Sequence, residues 1–310
     1  MVLFYSMFVW VGLLFSPHTV PHTEKEIIYA RRDGMALTMT VLIPKKPNGK
    51  AIVSLLSGGY YSDHSLYPVY RDRALPFVES GYTVFLTSHS STPRYSIADA
   101  LEDVQKAIQF VRSYASEYAV DPNNIGITGT SSGGHLALLA ATTNDIKNEN
   151  SKDPIERQSS RVQAAAVFCP PTDFLNYGSA NDKIRNKQQR LKDLQVAGSF
   201  RYKQFNENDF DYVLVDEKRM AVMDSLLSPA QNVTPDDPPI YISHGTKDDV
   251  VPIQQSETMA EKLKAAKVPV VVFKKEGAGH GWKNMNADET EFVAWFNKYL
   301  GVSETPTSKK

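Results

Sequence analysis

Short apolar runs recur along this chain, and most are followed by a longer stretch with helical spacing. The runs are "AIVSLL" (51–56), "YTVFLTSH" (82–89), "NIGIT" (124–128), "VQAAAVFC" (162–169), "PPIYISH" (238–244) and "VPVVVFKK" (268–275). A run that offers apolar side chains to both faces reads as a strand covered on both sides. The stretches between them read as helices. In "IADALEDVQKAIQFVRSYASEY", Ile97, Leu101, Val104, Ile108 and Val111 fall on one helical face, and Ser96 stands where an N-cap is needed. Further helices are expected in "YRDRALPFVESG", "HLALLAAT", "SETMAEKLKAA" and "ADETEFVAWFNKYL". Strands alternating with helices imply an α/β fold, with a mostly parallel sheet and helices on both of its faces.

Two regions depart from that rhythm. "EIIYARR" and "LTMTVLIP", with "RDGM" between them, read as two early strands joined by a turn. Residues 176 to about 236 hold helical pieces and charged runs where a short loop would suffice, so they read as a helical, cap-like insertion. With 310 residues, 42% of them apolar, the chain can bury a large core, and residues 23–302 are expected to form one domain.

The charge balance narrows the classes of partner. The formal net charge is −1, so no global field draws in nucleic acid or an anionic membrane. Cys169 is the single cysteine, so no intrachain disulfide can form, and its place in "AAAVFC" suits a small buried residue. Clustered metal-type ligands are absent from the sequence pattern, so neither metal nor cofactor is expected. The opening "MVLFYSMFVWVGLLF" is too short for a stable membrane span, which needs roughly 18 to 20 residues. It suits a signal peptide over residues 1–22 and a secreted or periplasmic protein. Against that reading, no Lys or Arg precedes the run and no A-x-A site follows it, which leaves a cytoplasmic location as the alternative. Residues 303–310 read as a solvated, disordered tail.

The chemistry is carried by "GTSSGG", residues 129–134. It follows a strand and opens a helix, the context of a nucleophile elbow. On so sharp a turn, the positions two before and two after the central residue face neighbouring backbone and must be very small. Gly129 and Gly133 satisfy this for Ser131; for Ser132 the pair would be Thr130 and Gly134, a poorer fit. Ser131 is therefore the candidate nucleophile. The backbone N–H of Ser132, at the start of the helix, points where an oxyanion would form.

A serine hydroxyl needs a base, and the base needs an acid to orient it. His280 lies in "EGAGHGW", a glycine-rich loop after the last strand, and no other histidine combines that lateness with such a loop. His135 and His244 read as packing residues. For the acid, "ISHGTKDDVVP" offers Asp248 in preference to Asp249, and Asp173 in "PPTDF" is the third choice. The resulting order of Ser, acid and His is one of several known for serine triads, and it is that of α/β hydrolases.

These motifs resemble the α/β-hydrolase superfamily. "HGTKDDVVP" and "GAGHGW" are similar to the acid and histidine loops of the dienelactone-hydrolase and prolyl-oligopeptidase-like branches. "SSTPRYSIADALEDVQKAIQFV" and "VDPNNIGITGTSSGGHLALLAA" resemble the esterase branch related to hormone-sensitive lipase and to feruloyl and acetyl esterases. The resemblance covers about residues 25–302 and implies an eight-stranded sheet with the site at its C-terminal edge. Where the esterase branch has a His-Gly-Gly-Gly run, this chain reads Ser57-Gly58-Gly59-Tyr60. By position, the Gly59 and Tyr60 N–H groups would join Ser132 in the oxyanion hole, with the Tyr60 ring at the mouth. Tyr177, Tyr202, Phe205 and Phe210 of the insertion are candidates to line a substrate pocket. The expected activity is hydrolysis of carboxylic esters, including short acyl groups on carbohydrate. A prolyl-oligopeptidase-type peptidase and a catalytically dead binding module are the alternatives. The oligomeric state is not legible in the sequence.

Overall fold

Local sequence sets each layer of the computed structural model, which describes residues 20–301. The signal-peptide reading falls almost wholly, and the tail reading wholly, outside those residues. In chain order, the strands are β1 (His22–Arg32), β2 (Met35–Pro44) and β3 (Gly49–Leu55), followed by helix α1 (Tyr67–Glu79) and β4 (Thr83–Thr87). Then come α2 (Ile97–Ser113), β5 (Val120–Thr130), α3 (Ser132–Thr142) and β6 (Ala164–Phe168). The insertion contributes α4 (Gln188–Asp193), β7 (Lys203–Asn206), β8 (Asp211–Leu214), α5 (Glu217–Leu226) and α6 (Pro229–Asn232). The chain closes with β9 (Ile240–Gly245), α7 (Gln254–Ala265), β10 (Val270–Lys275) and α8 (Met285–Tyr299).

Eight strands form one sheet in the order β1-β2-β4-β3-β5-β6-β9-β10. From β4 to β10 every neighbouring pair is parallel; only β1–β2 and β2–β4 are antiparallel. Side chains alternate between two cores, as the period of two in a strand requires. Ala51, Val53 and Leu55 of β3 face the core that includes α2, α3 and α7, while Ile52 faces the one built from α1 and α8. β6 divides likewise, with Ala165 and Val167 on one side and Ala164, Ala166 and Phe168 on the other. Ser96 caps α2 reciprocally with Asp99. The helix stops at Ser113 rather than running on to Tyr118; a short 3-10 turn follows, and Ala119 takes a left-handed conformation.

The insertion holds the expected helical pieces, α4, α5 and α6, and adds an antiparallel hairpin of β7 and β8. The cross-strand pair Phe205–Tyr212, with ring centroids 5.4 Å apart, packs one face of the hairpin. Among the described residues, no helix is long and apolar enough to cross a membrane.

Candidate active site

The end of β5 and the start of α3 meet at Ser131, whose backbone has φ 55° and ψ −120°. A non-glycine residue holds that conformation only when its surroundings enforce it. They do so here through close approach. A Cβ on Gly129 would lie 2.4 Å from the Gly133 carbonyl, and one on Gly133 would lie 3.1 Å from the Leu55 carbonyl oxygen. The Ser131 N–H donates to the Phe168 carbonyl at 2.8 Å, tying the turn to β6. From below, Arg73 of α1 donates to Thr130 Oγ1 at 2.6 Å and to Glu289 of α8 at 2.8 Å. Its guanidinium also lies 4.8 Å from the Phe168 ring centroid. Burial raises the pKa of Glu289, and the neighbouring Arg73 charge opposes that rise.

The loops after β9 and β10 bring Asp248 and His280 to the same edge as Ser131. His280 Nε2 lies 2.9 Å from Ser131 Oγ, and Nδ1 lies 2.7 Å from Asp248 Oδ2. A carboxylate at Nδ1 requires the proton there, so Nε2 carries the lone pair that faces the serine hydroxyl. The His280 side chain is 17% exposed and that of Asp248 fully buried. Asp248 Oδ1 accepts from the Val250 and Val251 N–H groups at 2.9 and 2.8 Å. Burial alone would raise its pKa; hydrogen bonds from His244 and His280, with the His280 charge, outweigh that and hold it well below the usual carboxylate range.

The rival acids have other partners. Asp249 pairs with Arg190 of α4, whose guanidinium lies 3.4 Å from its carboxylate. Asp173 is buried and accepts from Leu175 N, Asn176 N, Asn176 Nδ2 and Gln231 Nε2, so it organises its own turn. His135 is fully buried; its Nε2 lies 2.8 Å from the Leu227 carbonyl oxygen, and burial pushes its pKa down to about 4. Cys169, His244 and Asp248 bring three donor atoms within 4.8 Å of one another. They are poorly suited to a metal. The Val251 carbonyl requires a proton on His244 Nε2, and burial pushes the Cys169 thiol well up, away from the thiolate form.

Beside the serine, residues 57–60 turn tightly. Gly58 and Tyr61 exchange backbone hydrogen bonds, and Gly59 and Tyr60 both have positive φ, at 60° and 65°. The turn is fastened to α3 by a 3.0 Å contact between the Ser57 and Ser132 hydroxyls, and Tyr70 donates to the Ser57 carbonyl at 2.8 Å. Tyr60 departs from the expectation of a ring at the mouth. It is 3% exposed and turned inward, edge-on to His135 and Phe200, so the turn offers backbone rather than a ring to the site.

The candidate pocket aromatics are not gathered into one wall. Tyr202 is 1% exposed and donates to Asp224 at 3.0 Å, which places it in the interior of the insertion. Tyr177 is buried and donates to the Val250 carbonyl at 3.0 Å, bracing the loop that carries Asp248. Phe205 and Phe210, 47% and 83% exposed, sit on the β7–β8 hairpin. The insertion reaches the serine's neighbourhood through Val196 instead: a Cβ on Gly59 would lie 2.6 Å from its Cγ1. Nothing in the pattern of residues 176–236 singled out Val196. The link between His244 and Asp248 was legible only as a four-residue spacing at a strand end.

The chain is similar to several known proteins. A family model for BD-FAE matches residues 39–263. "Probable carboxylic ester hydrolase LipM" of Mycobacterium tuberculosis is 32% identical over 197 residues, which cover 62% of this chain and 40% of that protein. An acetylxylan esterase of Xylanibacter ruminicola is 27% identical over 42% of this chain and 27% of its own length. The chain thus spans less than half of either relative. Among solved structures, a truncated carbohydrate esterase from gut microbiota superposes with a TM-score of 0.71 at 23% identity, covering 91% of this chain and 99% of its own. An acetyl ester-xyloside bifunctional hydrolase from Caldicellulosiruptor lactoaceticus gives 0.68 at 22% identity, over 89% and 97%. The strand order, the elbow and the matched span converge: this chain belongs to the BD-FAE family and has the α/β-hydrolase fold.

Proposed function

We propose that this chain is a serine hydrolase of carboxylic esters, with short acyl groups on carbohydrate as its substrate class. The observation that carries the reading is the hydrogen-bonded line from Ser131 Oγ through His280 to Asp248, at the C-terminal edge of the sheet. In this reading Ser131 Oγ attacks the ester carbonyl as His280 Nε2 takes its proton. The tetrahedral oxyanion is met by the backbone N–H groups of Ser132, Gly59 and Tyr60. His280 returns the proton to the departing alcohol, leaving an acyl-Ser131. Water, activated by the same imidazole, then releases the acid and restores the serine. Asp248 keeps the ring in its Nδ1–H tautomer and stabilises the imidazolium.

Esterase names among the relatives support the reaction class, and the acetylxylan esterase supports the carbohydrate part. The test is covalent. A fluorophosphonate should label the wild-type protein once, at Ser131. Ser131→Ala should take up no label and lose turnover of p-nitrophenyl acetate by about a millionfold in kcat. Stoichiometric labelling at another residue, or wild-type turnover by Ser131→Ala, would remove the reading.

A further inference from the structure

We propose that His244 is a positioning residue for this reaction, holding the Asp248 carboxylate in the plane that meets His280. The inference rests on the reading of Ser131, His280 and Asp248 given above. His244 closes β9, four residues before Asp248, and the two side chains are wholly buried together. Its Nε2 lies 2.9 Å from the Val251 carbonyl oxygen and 3.2 Å from Asp248 Oδ2. A carbonyl oxygen only accepts, so the proton is on Nε2 and is bonded to Val251, with Asp248 Oδ2 in contact beside it. On the other side of the ring, Ser256 Oγ lies 2.6 Å from Nδ1, and with the ring neutral the hydroxyl is the donor. Ser256 of α7 therefore locks the neutral ring in the tautomer that serves Asp248.

The carboxylate needs such a donor. Rotation about the last bond of an aspartate side chain is soft, so its plane is set by its partners. Asp248 Oδ1 is fixed by two backbone N–H groups; Oδ2 is shared by two imidazoles, His280 at 2.7 Å and His244 at 3.2 Å. Among the described residues of β9, His244 is the side chain set against Oδ2. An imidazole buried only for packing would carry the cost of its polar nitrogens with no such return. Here Nδ1 meets Ser256 and Nε2 meets the Val251 carbonyl, with the acid 3.2 Å from the same nitrogen. The arrangement also gives a use to a histidine that the sequence pattern suggested was only structural.

The test separates positioning from packing with p-nitrophenyl acetate as substrate. His244→Leu removes the donor. His244→Gln keeps an amide N–H near the place of Nε2. Ser256→Ala leaves the ring but unlocks its tautomer. Each preparation is normalised by its endpoint fluorophosphonate titre. The expected result is a fall in kcat of about a hundredfold for His244→Leu and about tenfold for Ser256→Ala, the range typical of groups that orient a reacting side chain. KM should stay within about twofold, and His244→Gln should recover most of the rate. If His244→Leu does not fold, Ser256→Ala and His244→Gln decide. Wild-type kcat in Ser256→Ala, or equal losses in Leu and Gln variants that both titrate fully, would overturn the proposal. Failure of the wild-type protein itself to label at Ser131 would instead overturn the reading of the site.

Discussion

Asp248 shows how much one residue's surroundings decide. It stands next to another aspartate in the sequence, yet the two have opposite settings. Asp249 is exposed and pairs with Arg190, while Asp248 is buried, receives hydrogen bonds from Val250, Val251 and His280, and lies 3.2 Å from His244 Nε2. Its pKa is held well below the usual carboxylate range. A group whose pKa is lowered by folding adds stability above its unfolded value, about 4, and loses it only as pH falls through the folded one. Asp248 therefore remains ionised across the whole range in which a histidine titrates. In the proposed mechanism, Asp248 then adds no protonation of its own to acid inactivation. Between pH 4 and 7, log kcat/KM should rise with a limiting slope of one. A slope of two, tracked while the protein stays folded by circular dichroism, would mean that a second group, Asp248 among the candidates, is protonated in the same interval. At this scale the sequence was informative. Gly129 and Gly133 marked Ser131 because their backbone contacts leave no room for a side chain. It was silent on the inward turn of the Tyr60 ring, which depends on Phe200, far along the chain.

The insertion shows what a set of elements adds. α4 and the turns around it grip the site's loops from two sides. Arg190 and Tyr177 hold Asp249 and Val250, the Gly178 N–H donates to Gln254, and Val196 lies over Gly59. Gly59 belongs to the turn that the mechanism assigns to the oxyanion, so Val196 is placed to limit the acyl chain beside it. Val196→Ala should raise the ratio of kcat/KM for p-nitrophenyl octanoate over acetate by about tenfold, the scale of a methylene or two in an apolar slot. An unchanged ratio would move the acyl site away from Val196. Helical spacing and turn residues are local signals, and the sheet's helices obey them. Val196 acts through a contact with a distant turn, and the β7–β8 hairpin has no glycine in its "NENDF" turn to announce it. Both were therefore hidden in a segment whose local pattern read as helical.

The chain's order of motifs carried the architecture of the whole molecule. Alternating strands and helices required a parallel sheet covered on both faces, and β4, β3, β5, β6, β9 and β10 deliver it, with two antiparallel pairs added at one edge by β1 and β2. Ser131, Asp248 and His280 come from three separate loops, and a sheet of this order is what brings loops so far apart in sequence to one edge. Reaction class is where pattern alone stops, because the same three groups can cleave esters or amides. Esters ask less of a site: an activated serine, oxyanion donors and an acyl slot. Amides have a poorer leaving group and need the scissile bond held in register. The most direct test compares kcat/KM for p-nitrophenyl acetate and an acetylated xylo-oligosaccharide with that for a prolyl anilide, using the same preparation. Both esters should exceed the anilide by about a hundredfold or more, a difference of roughly 2.7 kcal/mol in transition-state stabilisation. An anilide turned over as efficiently as the esters would contradict it and make the chain a peptidase.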